Sequence, residues 1–256
     1  MRPPQFKILA SGLFPADQVL QAYDNTLQKD QFTPEHERQI DAAWTSVLSN
    51  AKSTGRNLFD APLFRLDHCA ITNGNLTLHY GDTTYRAYVA TRSPDIDLPR
   101  ADPIGTLVIP VTSDGYIPIG RRAASADVNP GRFFTFGGFF DRACDFAPGT
   151  TNPDIFTCIA REVREELAID VPPASFQCLG VIYDLRHLHP EMSFTVNLDV
   201  EKSQIETSHW QSELADLSFV HHKSIGPFLD RFASETTDTL VGALQIFHEQ
   251  ITSREL

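Results

Sequence analysis

The stretch Arg161-Glu162-Val163-Arg164-Glu165-Glu166-Leu167-Ala168-Ile169 decides how this chain is read. It closes a run, from about Asp154 to Ala168, in which Ile155, Ile159 and Val163 recur at four-residue steps with Phe156 and Leu167 beside them. That spacing predicts a helix with one buried side. Glu162, Glu165 and Glu166 stand at offsets of three and four, so they leave the helix from one face within a single turn. Like charges so placed repel by ~0.2–0.5 kcal/mol per pair, and the helix dipole disfavours anions near the C-terminal end. Arg161, four residues before Glu165, offsets part of this. A hard divalent cation resolves the rest, because Mg²⁺ takes oxygen ligands and works with few carboxylates plus substrate phosphates. An acidic helix face taken alone is most often solvated surface. Here it follows a Gly137-Gly138 pair placed after an apolar run, and the helix has an opposite side to bury.

Upstream of the helix lies an irregular stretch from Asp141 to Pro153, and before it the run Phe133 to Phe136. Thr106 to Val111 and Ile117 to Gly120 read as strands joined at Asp114-Gly115, with Arg121-Arg122 following. Beyond the helix, Leu179 to Tyr183 and Met192 to Val200 read as strands, and two helices at about Lys223–Phe232 and Glu235–Gln250 close the chain. Residues 1–100 form a different part. Phe6 to Leu9 is a short strand. Thr33-Pro34-Glu35 opens a helix, with Thr as N-cap and Pro in the first turn, whose stripe is Ile40, Trp44, Val47 and Ala51 and which Gly55 closes. Asn73-Gly74 between β-rich runs predicts a hairpin, and Ala87 to Thr91 a short helix. Three prolines and three aspartates between Ser93 and Pro103 mark a linker. Strands and helices mix without regular βαβ alternation, so the class is α+β, with a part at 1–100 and another at 101–256.

Bulk properties narrow the function. A net charge of −12 over 256 residues argues against a general nucleic-acid binder. No apolar stretch approaches the ~20 residues of a membrane span, and the first residues show no signal peptide. Cys69, Cys144, Cys158 and Cys178 form no Cys-x-x-Cys pair, so zinc is not expected, and reduced thiols in a cytoplasmic protein are.

The order Arg161-Glu162-Val163-Arg164-Glu165-Glu166 resembles the Nudix box, Gly-x5-Glu-x7-Arg-Glu-U-x-Glu-Glu-x-Gly-U, where U is aliphatic. The resemblance implies an α/β/α sandwich with a mixed sheet, here with an N-terminal α/β extension. It also implies Mg²⁺ or Mn²⁺ and hydrolysis of a nucleoside diphosphate linked to another moiety. By position, Gly138 matches the opening glycine, and Glu162 and Glu166 match the principal metal ligands. Glu165 matches a further ligand or base, and Arg161 the arginine that orients a glutamate. The sequence departs in two places: Pro153 occupies the first glutamate position, after a longer loop, and Ala168 that of the late glycine. Asp141, Asp145 or Asp154 would substitute for the missing carboxylate.

Further blocks are similar to the UDP-glucose pyrophosphatase subgroup, over roughly 55–200: Leu58 to Leu66, Gly81 to Arg86, Ala101 to Gly105, Arg121-Arg122-Ala123 and Asn129-Pro130-Gly131. The subgroup's reaction is UDP-glucose plus water giving UMP and glucose 1-phosphate. In this reading Arg121 or Arg122 grips diphosphate oxygens, and Glu165 or Glu191 takes a proton from water. His187 and His189 are loop candidates for acid–base or substrate contact. Tyr85 and Arg86, with Gly138, touch the substrate, and Phe139 or Phe140 stacks on a base. The alternatives are hydrolysis of ADP-ribose or a dinucleotide, and a Nudix-fold module that binds a nucleotide or protein without catalysis.

Overall fold

The computed structural model describes residues 5–24, 32–53, 58–92, 97–124, 126, 128–206 and 214–252. The strands are β1 (Phe6–Pro15), β2 (Val19–Tyr23), β3 (Pro62–Thr72), β4 (Asn75–Thr84), β5 (Gly105–Val111), β6 (Tyr116–Arg122), β7 (Phe133–Phe134), β8 (Gln177–Asp184), β9 (His189–Asn197) and β10 (Leu214–His221). The helices are α1 (Pro34–Ser53), α2 (Tyr85–Thr91), α3 (Ile155–Leu167), α4 (Lys202–Glu206), α5 (Ile225–Phe232) and α6 (Asp238–Thr252).

The central sheet runs β1-β8-β9-β5, antiparallel except for the parallel β5–β9 pair. Side chains alternate across a strand, and here both sides are apolar. Val108, Val181, Met192 and Phe194 pack with Ile155, Ile159, Val163 and Leu167 of α3. Their neighbours Leu107, Ile109, Leu179 and Ile182 pack with Leu240, Ala243, Leu244 and Phe247 of α6 and with Ile225 and Phe228 of α5. The α+β class and the α/β/α layering expected from the sequence are what the chain adopts. Each of these large side chains contributes ~1.5–3 kcal/mol by leaving water.

Two smaller sheets flank the first, one ordered β10-β6-β7 and the other β2-β4-β3. In the second, Asn73 and Gly74 both take positive φ, at 51° and 79°, as a tight primed turn between β3 and β4 requires. Thr33 caps α1, its Oγ1 accepting from the His36 N–H at 3.2 Å, and Ile40 and Trp44 are buried against α2. The expected stop at Gly55 and the first residues of the expected linker lie outside the described residues. The strand foreseen at Phe6–Leu9 continues to Pro15 and is hydrogen-bonded to β8. Residues of the 1–100 part therefore share a sheet with the 101–256 part. No helix among the described residues is long and apolar enough to cross a membrane, and the four cysteines are free.

Candidate functional site

The helix α3 is fixed at both ends. Asp154 caps it, accepting from the Phe156 N–H at 3.1 Å and from the Thr157 hydroxyl at 2.8 Å. Gln21 of β2 reinforces the cap by accepting from the Ile155 N–H at 2.9 Å. At the other end Ala168 sits in the left-handed region, φ 57° and ψ 32°, as the C-terminal cap. Between them Arg161 holds three carboxylates. It donates to both oxygens of Asp145 at 2.8 and 2.9 Å, to Glu162 Oε1 at 2.7 Å and to Glu165 Oε2 at 3.1 Å.

The three aspartates left open by the sequence therefore have separate places. Asp145, wholly buried, takes the guanidinium. Asp154 is the helix cap, and Asp141 accepts from the Ala143 N–H within its own loop at 2.7 Å.

The glutamates diverge. Glu162 is 12% exposed at its side chain and rests against Gly138, where a Cβ would collide with the carboxylate. Burial pushes its carboxyl up to about 7, with the Arg161 charge opposing. Glu165 points outward, 45% exposed. Glu166 turns to the glycine pair, its Oε2 accepting from the Gly137 N–H at 2.8 Å. Gly137, at φ 147°, lies so close to the Thr106 carbonyl that a side chain has no room. The expectation that Glu162, Glu165 and Glu166 form one metal-binding set is corrected here: among the described residues no three His, Cys, Asp or Glu side chains are grouped to hold a metal ion. Arg161 draws two of the three toward itself.

Glu166 faces a cavity of about 260 Å³. Its opposing carboxylate comes from β9. Glu191, 7% exposed, is paired across the sheet to Gly105 of β5 and Ile182 of β8. Gly105 makes the room, since a Cβ there would stand 3.2 Å from Glu191 Cγ and 3.3 Å from His189 Cδ2. Burial pushes the Glu191 carboxyl up to about 8, opposed by a hydrogen bond from Thr239 and by the Arg122 charge, while Asp184 adds to it. Glu191 Oε2 is buried without a partner. His189, also on the wall, is pushed down to about 4 by burial and is a neutral ring at neutral pH. Its Nδ1 lies 3.2 Å from the Tyr88 hydroxyl.

Arg121 and Arg122 divide as neighbours on a strand must. Arg122 lines the cavity, its guanidinium carbon 5.0 Å from the Phe134 ring. Arg121 lies over Phe133 and pairs with Glu235 at 2.7 Å, away from the cavity wall. Tyr85 and Gly138 line it. Arg86 does not: it pairs with Glu37 at 3.0 Å and with Asp41, fastening α2 to α1. Arg161 and Glu165 also lie off the wall.

Tyr88, Asp184, Thr237 and Thr239 belong to the wall and were not foreseen. For Tyr88 a signal existed, three residues beyond Tyr85 on a short helix. For the threonines none did, because polar residues before a helix read as caps.

No family model matches the chain, and no curated protein matches it. Solved structures with similar folds include a mutT/nudix family protein from Listeria innocua, with 16% identity, TM-score 0.44, 60% of this chain covered and 96% of that one. The NUDIX domain of Shewanella oneidensis NrtR, complexed with ADP ribose, has 16% identity and TM-score 0.42 over 68% of this chain and 100% of that one. The MutT protein of Methanosarcina mazei has 16% identity and TM-score 0.39 over 58% and 94%. Likenesses this distant assign no chemistry to the cavity.

Proposed function

We propose that this chain is a Nudix-type pyrophosphohydrolase that uses a divalent cation to split a nucleoside diphosphate-sugar, with UDP-glucose, giving UMP and glucose 1-phosphate, as the substrate of first choice. One observation carries the reading: Glu166 of the box-like helix and Glu191 of a separate strand enter one cavity, together with Arg122 and the Gly137-Gly138 turn. Glu166 and Glu191, on the cavity wall, offer hard oxygen donors, and Mg²⁺ works with few carboxylates plus substrate phosphates; the unpartnered, buried Glu191 Oε2 fits such a role. When bound, the cation would neutralise diphosphate oxygens and make water a better nucleophile.

The chain's own groups supply the rest. Glu191 is favoured over Glu165 as proton acceptor, because Glu165 is turned out to Arg161. Arg122 stabilises charge on the phosphates. Tyr85, Tyr88 and Phe139 form an aromatic wall, with Tyr88 and Phe139 ring centroids 5.6 Å apart, able to receive a flat base. Arg161, fixed by Asp145, orients Glu162 rather than touching substrate.

The test is product release from UDP-glucose, ADP-ribose and a dinucleotide, each with and without Mg²⁺. UMP and glucose 1-phosphate formed only with the metal support the proposal. A different preferred substrate would keep the reaction class and replace UDP-glucose. A second reading, a module that binds a nucleotide without hydrolysis, is favoured by Arg161 engaging both Glu162 and Glu165. Binding without turnover in every arm would select it.

A further inference from the structure

The start of α6 presents four consecutive buried polar residues, Thr236, Thr237, Asp238 and Thr239. Burying polar groups is unfavourable unless each finds a partner. Thr236 donates to the Phe232 carbonyl at 2.8 Å. Asp238 accepts from Arg186 Nε at 2.8 Å and lies 3.9 Å from Arg132, so its charge is offset. Thr239 stands beside Glu191. Thr237 is the exception: it is 1% exposed, it lines the cavity, and its hydroxyl has no partner.

Backbone donors point the same way. The Thr237 N–H bonds the Phe133 carbonyl at 2.9 Å, and the next ladder bond runs from the Val241 N–H to the Thr237 carbonyl at 3.0 Å. The N–H groups of Asp238, Thr239 and Leu240 are thus the orphan donors that begin any helix. In a helix of 15 residues they carry the positive end of the dipole. On the same wall Arg122 is the one lysine or arginine among the described residues, and its Nε is buried without a partner. An unpartnered hydroxyl, unpartnered amides and an unpartnered guanidinium nitrogen are all donors, and what satisfies a set of donors is an anion with several oxygens.

We propose that the first turn of α6, the Thr237 hydroxyl and Arg122 form a phosphate subsite. It takes one phosphate of the substrate and the monophosphate product from a wall other than α3. The role in catalysis rests on the reading above; the capacity to bind phosphate does not.

The subsite is tested on the full chain by titration calorimetry with inorganic phosphate in the absence of divalent cations, and with UMP against uridine. Thr237→Val keeps the shape and removes the hydroxyl, Thr237→Ser restores it, and Arg122→Met removes the fork. Phosphate and UMP affinity are expected to fall about ten-fold in Thr237→Val and at least as much in Arg122→Met. Thr237→Ser is expected to stay near wild type, and uridine binding to stay unchanged throughout. If Thr237→Val and Arg122→Met both bind phosphate as wild type does, the subsite is wrong, whether or not the enzyme turns over. If the variants lose phosphate while wild type hydrolyses nothing, the subsite stands and the hydrolase reading falls. In an active enzyme a raised KM with little change in kcat in Thr237→Val assigns the subsite to the substrate's own phosphate. A KM at the wild-type value overturns that assignment, leaving a site for free phosphate.

Discussion

Arg161 and Asp145 lie sixteen residues apart in sequence and face each other fork to fork, at 2.8 and 2.9 Å, with the carboxylate wholly buried. This pair ties the loop before α3 to the helix and sets where Arg161 can reach. Breaking a buried pair leaves a charge without its counter-charge, at ~3–5 kcal/mol. Asp145→Asn is expected to lower stability by about 3 kcal/mol in urea unfolding, and Arg161→Lys to restore none of the two-point geometry. An unfolding midpoint at the wild-type value in Asp145→Asn would show that the pair holds nothing together.

Glu166→Gln keeps an oxygen for the Gly137 N–H and removes the charge from the cavity. Turnover is expected to drop ~100-fold or more while the unfolding midpoint stays in place. Normal turnover in that variant would take Glu166 out of the mechanism.

The Glu191 carboxyl, ordinarily near 4.5, is pushed up to about 8 by burial. Between those values the folded chain binds more protons than the unfolded one. This contribution to stability is therefore full below about 4.5 and lost as the pH rises through about 8. His189 works oppositely, since burial moves it from 6.5 down to about 4 and favours the fold as pH rises through that window. Comparing wild type with Glu191→Gln cancels the histidine. The variant is expected to gain on wild type steadily from pH 5 to pH 9 in urea midpoints, and parallel profiles would refute the buried-acid assignment.

Ala168 occupies the left-handed cap of α3 at φ 57°, exposed, and a β-carbon there costs ~1 kcal/mol relative to glycine. Ala168→Gly is expected to raise the unfolding free energy by about that amount, without touching turnover. A lower midpoint would mean that the methyl group makes a contact worth more than the strain.

The parts of the fold that local chemistry dictates were legible. The cap at Thr33, the turn at Asn73-Gly74 and the buried stripe of α3 each follow from a few neighbouring residues. The strands β2 and β10 were not, because both are defined by partners far away in sequence, β4 and β6. The same division holds in the cavity. Glu166 and Arg122 were found from a motif and a strand end. Which of the three aspartates meets Arg161 depends on an irregular loop that no periodicity describes. Arg86 was misplaced because its counter-charges sit on α1, 45 and 49 residues away.

The edge position of β1 bears on how this protein can be made. Phe6 is registered against Asp184 and Pro15 against Gln177, so β1, once made, stays without its neighbour until a far later stretch of the chain has followed. Such a long closure slows folding and leaves a sticky ribbon waiting. A version trimmed to start at residue 101 would spare the wait but bare the rim of β8, inviting other copies to dock there.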